Sequence, residues 1–387
     1  MRAISPEATI GILGGGQLGR MLALDAKRMG YRVAMLDPTP NSPCGQIADQ
    51  QVVASYGDLA AVQRLGVMCD AVTYEFENVD VRAVELLEGS GVRIAPGSRA
   101  LRVAQHRLRE KRFLRDQDIA VTPFAAVTTA DDLTSAGEHV GYPAVIKTAA
   151  GGYDGKGQAV VHTRAQALQA FERLRGRELI WERFAPFTRE LGIICARSES
   201  GQMVTYPLTQ NIHEENILAF SVVPAGVPAP VEERAREIAQ RIALGLDFVG
   251  TFCVEFFLLP DGELLVNEIA PRPHNSGHYT IDACTLSQFE AQLRAICDLP
   301  LPAPRLTSSA VMVNILGSGS GDRLLGIPEL LSDPAVSLHL YGKRQALARR
   351  KMGHFTLLRD PGTPPAQLLQ TAREARKRLS WGSASAL

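Results

Sequence analysis

Two nearly unbroken apolar runs constrain this chain more than any other feature. They are Phe252-Cys253-Val254-Glu255-Phe256-Phe257-Leu258 and Leu264-Leu265-Val266-Asn267-Glu268-Ile269. Both have strand length and strand composition, and the turn Pro260-Asp261-Gly262 between them predicts a hairpin. Their few polar positions are Glu255 in the first run and Asn267 and Glu268 in the second. An isolated carboxylate on a buried strand is strongly disfavoured unless it is paired or metal-bound. Two carboxylates joined by a hairpin, with an amide oxygen adjacent, match ligation of a hard cation. An all-oxygen set favours Mg²⁺ or Mn²⁺ over zinc. Structural salt bridges would satisfy the same carboxylates and stay open as the alternative.

A second constraint is Ala149-Ala150-Gly151-Gly152-Tyr153-Asp154-Gly155-Lys156-Gly157, set between the strand-like runs 144–147 and 158–162. Four glycines let the backbone bend sharply and approach a ligand closely. Lys156 in the loop and Lys147 before it suggest a flap over nucleotide phosphates. An ordinary Gly-rich hairpin would carry the same glycines. Glu182 follows the apolar strand 178–181, a place where carbonyls and a carboxylate can hold an adenosine. The segment 209–216, which contains His213, reads as a polar loop.

The N-terminal stretch gives the fold class. A strand at 9–13, the turn Gly14-Gly15-Gly16-Gln17-Leu18-Gly19, a helix to about 29 and a strand at 32–36 ending at Asp37 open a doubly wound α/β domain. Gly14, Gly16 and Gly19 fit G-x-G-x-x-G, with Asp37 near the place of a ribose-binding acid, so a dinucleotide site stays open here. Glu75 and Glu77 follow a third strand at its carboxyl end, where open sheets bind ligands. The basic, amphipathic segment 101–116, with Arg107 and Lys111, reads as a helix whose charges mostly face solvent.

Composition narrows the partners. The chain has 41 basic and 41 acidic residues, so net charge gives no reason to expect nucleic acid or an anionic membrane. The only dense basic cluster is Lys343, Arg344, Arg349, Arg350 and Lys351, suited to an anionic group such as a sugar phosphate. It could equally be a solvated face. The six scattered cysteines form no C-x-x-C pair and fit reduced core thiols of a cytoplasmic protein. No secretory signal and no membrane span are expected.

Taken together, the α/β domain, the Lys-bearing flap, the strand-end Glu182 and the Glu255…Asn267-Glu268 hairpin resemble the ATP-grasp ligases. More narrowly, residues 16–20 (Gly-Gln-Leu-Gly-Arg), 74–79 (Tyr-Glu-Phe-Glu-Asn-Val), 151–157 (Gly-Gly-Tyr-Asp-Gly-Lys-Gly) and 274–278 (His-Asn-Ser-Gly-His) resemble the N5-carboxyaminoimidazole ribonucleotide synthetase family. That family is the ATPase subunit of phosphoribosylaminoimidazole carboxylase, and the match runs in order from about 9 to 358.

The resemblance implies a mixed α/β and α+β architecture. An N-terminal Rossmann-like (pre-ATP-grasp) domain would span 1–100 and an ATP-grasp domain 101–300, with its flap subdomain at about 121–185. A small C-terminal domain that binds the substrate phosphate would span 301–387. The implied reaction joins ATP, bicarbonate and 5-aminoimidazole ribonucleotide through carboxyphosphate, giving N5-carboxyaminoimidazole ribonucleotide, ADP and phosphate in purine biosynthesis. This is an ATP-dependent carbon–nitrogen ligase.

The resemblance also implies residue roles. ATP would be held by Arg107, Lys147, Gly152, Tyr153, Asp154, Gly155, Lys156, Gly157, Gln158, Glu182, Arg183, Phe184, Ala185, Glu190, His213, Asn267 and Glu268. Mg²⁺, or Mn²⁺, would sit on Glu255, Glu268 and Asn267. Gln17, Leu18, Glu75, His274, Asn275, Lys343, Arg350 and Lys351 would bind the ribonucleotide. Catalytic roles would fall to Tyr153, Asp154, Lys156 and Arg272. A cytoplasmic homodimer, coupled in function to a downstream mutase, is also implied. His106 and Gln210 depart from the expected pattern on the adenine side. The rivals are a formate-dependent glycinamide ribonucleotide transformylase and, on G-x-G-x-x-G alone, an NAD(P)-dependent oxidoreductase.

Overall fold

The computed structural model describes residues 3–151 and 157–382. The N-terminal unit is a parallel sheet in the order Gln50–Val52, Arg32–Leu36, Thr9–Leu13, Ala71–Tyr74. Its central strands are short apolar runs buried on both faces, as parallel sheets require. The edge strand Gln50–Val52 is too short and too polar to stand out in the sequence. Beside the strand Ala71–Tyr74, the segment 92–95 forms only the single bridge Val72↔Ile94.

The predicted continuous helix at 101–116 is broken. Ser98–Ala104 and Arg107–Asp116 are separate helices, with Gln105 and His106 between them. A four-stranded antiparallel sheet follows, in the order Phe124–Val127, Leu179–Arg183, Ala144–Thr148, Gln158–Val161. The helices Ala130–His139 and Arg164–Arg173 pack against it around the buried Trp181 and Ile146. Lys147 and Gln158 are paired across this sheet at the base of the Gly-rich loop.

A nine-stranded sheet organises the remainder. Its main path runs Leu264–Ala270, Gly250–Leu258, Arg189–Arg197, Thr209–Glu214, Ile217–Val223, Ser309–Leu316, Lys351–Arg359, Val336–Leu340, with Met203–Thr205 paired onto Arg189–Arg197. The C-terminal strands therefore extend the sheet that carries the carboxylate hairpin. Phe220 is paired with Val313 across the join.

The stretch read as a polar loop at 209–216 is mostly strand. It turns through Glu215 and Asn216, whose φ values of 49° and 63° suit a two-residue hairpin turn. Thr209 and Asn211 are buried and bonded to Gly192 and Ser221 of the flanking strands, so composition alone misleads. Beyond 358 the chain is ordered into the helix Pro365–Arg376 and the strand Ser380–Gly382. All six cysteines are free. No helix among the described residues is long and apolar enough to cross a membrane.

Candidate active site

The hairpin predicted from composition forms, and its register sets Glu255 directly opposite Glu268. One step further along, Phe256 faces Val266, so Asn267 is an extra residue in the second strand. Strict alternation would send adjacent residues to opposite faces. A bulge relaxes that alternation, and both Asn267 and Glu268 reach the cleft that Glu255 lines. Burial, and then the facing Glu268, push the Glu255 carboxyl above its ordinary range. Two unit charges about 4 Å apart repel by roughly 4 kcal/mol at an effective dielectric near 20. Such a pair is a site that gains from a cation, and an amide oxygen beside two carboxylates fits Mg²⁺ or Mn²⁺.

The same cleft is lined by Arg107, Lys147, Gln158, Glu182, Arg183, Phe184, Ala185, Glu190 and His213. Lys147 Nζ donates to Glu182 Oε2 at 2.9 Å, and both side chains are largely buried. Burial alone would raise the Glu182 carboxyl, but Lys147, Lys111 and Arg107 hold it down at about 2. His213 Nδ1 lies 2.7 Å from Glu190 Oε2. Burial favours the neutral imidazole, yet Glu190 outweighs it and raises the His213 pKa. Arg107 donates to the Thr148 carbonyl at 2.9 Å, and its own N–H to that of Ala149 at 2.8 Å. The base of the Gly-rich loop is thereby fixed to the cleft.

Glu77, Arg272, His274, Asn275 and Lys351 line the same cleft. Arg272 is paired with Glu77, and Glu77 falls below the ordinary carboxylate range because Arg272 outweighs burial. His274 Nε2 is 3.7 Å from Glu255. Burial and the nearby Arg272 and Lys351 keep that imidazole neutral, so the contact is polar and not an ion pair. Asn275 exchanges two side-chain hydrogen bonds with Asn314, at 2.6 and 3.1 Å, which ties this loop to the C-terminal strands.

Lys343 and Arg350 do not line this cleft. Lys343 donates to the Lys351 carbonyl at 2.6 Å, and its charge senses Arg350, Lys351 and Glu75. Burial, then Arg350 and Lys351, lower its pKa to about 7. Arg349 belongs elsewhere, donating to the carbonyl and carboxylate of Glu215.

The Gly-rich turn of the first domain is filled from within. Glu75 accepts from the N–H groups of Gly16 and Gly19, the latter at 2.7 Å. A side chain at Gly14, where φ is +117°, would come within 2.3 Å of Glu75. Asp37 accepts from Gly15 and Thr39 and from the Tyr56 hydroxyl. The anion position and the ribose-binding acid of a dinucleotide site are therefore both occupied by the chain itself, against the oxidoreductase reading. Leu18 is buried in the domain core, and Gln17 is half-buried in the first helical turn.

Gly152, Tyr153, Asp154, Gly155 and Lys156 lie outside the described residues. Several lining residues were not singled out by sequence. Phe187 and Phe257 stack with centroids 4.5 Å apart, and Val145 and Val160 line the same region. Phe257 had a signal, since it stands two residues from Glu255 on the same strand face. Lys111, on a segment whose charges are expected mostly to face solvent, and its neighbour Glu110 are instead 1% and 2% exposed beneath the bulge.

The chain is similar to known proteins along almost its whole length. Residues 7–105 match the ribonucleotide synthetase preATP-grasp domain, 112–289 the ATP-grasp domain, and 310–363 the phosphoribosylaminoimidazole carboxylase C-terminal domain. The chain is 45% identical over 361 residues to the N5-carboxyaminoimidazole ribonucleotide synthase of Bacillus subtilis, covering 92% of this chain and 93% of that one. The crystal structure of the Staphylococcus aureus synthetase complexed with ADP superposes with a TM-score of 0.91 at 38% identity, covering 97% and 99%. The Aspergillus clavatus synthase in complex with ADP and 5-aminoimidazole ribonucleotide gives 0.89 at 36%, covering 96% and 99%.

Proposed function

The chain belongs to the N5-carboxyaminoimidazole ribonucleotide synthase family of ATP-grasp ligases, and we propose that the cleft around Glu255, Glu268 and Lys147 is where it carries out that chemistry. It is an ATP-dependent ligase that carboxylates 5-aminoimidazole ribonucleotide to the N5-carboxyamino product in purine biosynthesis. The residue roles below are our reading. The observation that carries it is the facing Glu255–Glu268 pair in one cleft with the Lys147–Glu182 and Arg272–Glu77 pairs.

ATP lies along the cleft with its adenine against Phe184, Phe187 and Phe257, where apolar and aromatic surface favours a planar base. Its phosphates reach Lys147, Arg107 and the flap residues, including Gly157 and Gln158. Glu255, Glu268 and the Asn267 amide oxygen would hold Mg²⁺ or Mn²⁺, which would offset the charge of the β- and γ-phosphates. Phosphoryl transfer depends mainly on positioning and charge stabilisation, so these groups need only align bicarbonate with the γ-phosphorus.

A bicarbonate oxygen attacks that phosphorus and the bond to the bridging oxygen breaks, leaving ADP and carboxyphosphate. The amine of the ribonucleotide then takes the carboxyl carbon, phosphate leaves, and one amine proton is released. Arg272, His274 and Asn275 would orient the aminoimidazole, and Lys343, Arg350 and Lys351 its 5′-phosphate. Gln17 would contact the ribonucleotide from the first domain, with Leu18 and Glu75 acting through the fold of the Gly16–Gly19 turn rather than by side-chain contact. By the family resemblance, Tyr153, Asp154 and Lys156 would close over both reactants and exclude water from carboxyphosphate. A cytoplasmic homodimer that hands its product to a mutase completes the proposal. The direct test is phosphate release from MgATP. It should require both bicarbonate and 5-aminoimidazole ribonucleotide, and turnover with formate and glycinamide ribonucleotide alone would contradict the reading.

A further inference from the structure

Among the described residues, the strand Leu264–Ala270 is the edge of the nine-stranded sheet, with a neighbouring strand on one side only. Its outward backbone groups need other partners. One comes from Ala120, whose carbonyl accepts from the Val266 N–H at 2.9 Å. The others come from the helix Arg107–Asp116. Lys111 Nζ donates to the Val266 and Asn267 carbonyls, both at 2.8 Å. Glu110 Oε1 accepts from the Ile269 N–H at 2.6 Å.

In a regular strand consecutive carbonyls point to opposite sides, so one ammonium cannot bond to both. Lys111 does so here because the extra residue of the bulge turns two neighbouring carbonyls the same way. The two side chains grip the strand on either side of Glu268. Burying a lysine is costly unless it is paired and hydrogen-bonded. Lys111 is hydrogen-bonded to these two carbonyls, and the charges of Glu182 and then Glu110 favour its ammonium form against burial.

We infer that Lys111 and Glu110 are positioning residues that hold the bulge open, so that Asn267 and Glu268 face the cleft together. They touch no substrate; they act through the strand. The inference rests on the proposed cation site at Glu255, Asn267 and Glu268.

The test measures Mn²⁺ binding by electron paramagnetic resonance in the presence of ADP. The proteins are the wild type, Glu268→Gln, Lys111→Arg and the doubly neutral variant Glu110→Gln/Lys111→Met. Lys111→Arg keeps a buried cation, so it remains informative if the double variant does not fold. Partners one shell beyond a metal typically change affinity about 10- to 100-fold when replaced. The double variant is expected to weaken Mn²⁺ by that amount and Lys111→Arg by several-fold, because its wider fork displaces the two carbonyls. ADP affinity without metal, and KM for the ribonucleotide, should stay within about twofold of wild type. If Glu268→Gln weakens Mn²⁺ while folded Lys111 variants bind it like wild type, the positioning role is overturned and the cation site stands. If Glu268→Gln binds Mn²⁺ normally, the cation site itself is wrong and the inference falls with it.

Discussion

Lys147 and Glu182 are joined across neighbouring antiparallel strands by a 2.9 Å ion pair at the wall of the cleft. The pair fixes Lys147 where a phosphate oxygen could share it, and among the described residues it leaves Glu182 Oε1 buried without a partner. A ligand hydroxyl or amino group would satisfy that oxygen.

Removing one member should separate stability from binding. Lys147→Met leaves Glu182 buried and unpaired, a change that typically costs about 3–5 kcal/mol. Lys147→Met/Glu182→Gln should recover most of that stability in thermal melts. Both variants should show KM for ATP raised at least about tenfold. Recovery of ATP binding in the double variant would show that Lys147 serves only the fold.

The facing carboxylates make an opposite prediction. Burial and Glu268 together raise the Glu255 pKa, so charge on the pair strains the metal-free protein. Glu268→Gln removes one charge at nearly constant volume. Its melting temperature in EDTA should equal or exceed that of wild type, and Mg²⁺ with ADP should no longer raise it. Turnover should fall by more than the roughly 10- to 100-fold typical of residues one shell further out. Near-wild-type activity at ordinary Mg²⁺ would rule out the metal assignment.

Much of this site could be read from the sequence. The two apolar runs are so continuous that their few polar residues had to meet, and the register sets Glu255 against Glu268. The bulge was less visible, although adjacent Asn267 and Glu268 in a buried strand already break the alternation of faces. Glu110 and Lys111 had no such signal. A charged pair on an amphipathic helix reads as solvated, and only the unpaired edge of a distant strand draws it inward. Likewise, G-x-G-x-x-G describes an anion-binding turn but cannot show that Glu75 occupies it. The polar run at 209–216 reads as a loop because burial between two neighbouring strands is a property of the sheet, not of the segment.

Lys343 predicts a pH dependence. Burial, then Arg350 and Lys351, depress its pKa to about 7 in the free protein. The folded chain therefore binds fewer protons than the unfolded chain between about pH 7 and about 10.4, so this group's contribution to stability rises with pH across that window. A bound phosphate dianion favours the ammonium, so ribonucleotide binding at pH 8 should take up a proton. Calorimetry in buffers of different ionisation enthalpy would measure the uptake, and KM for the ribonucleotide should rise between pH 7 and 9. Lys343→Arg, whose guanidinium stays charged, should abolish both effects. Uptake unchanged in that variant would exclude Lys343 as its source.

Transfer through carboxyphosphate is the central chemical claim, and bicarbonate labelled with ¹⁸O tests it most directly. The oxygen that attacks the γ-phosphorus stays on that phosphorus when the carboxyl group departs. The phosphate released from ATP, read by the isotope shift of its ³¹P resonance, is therefore predicted to carry one ¹⁸O per turnover. Phosphate free of label, with the ribonucleotide carboxylated at the normal rate, would contradict the mechanism.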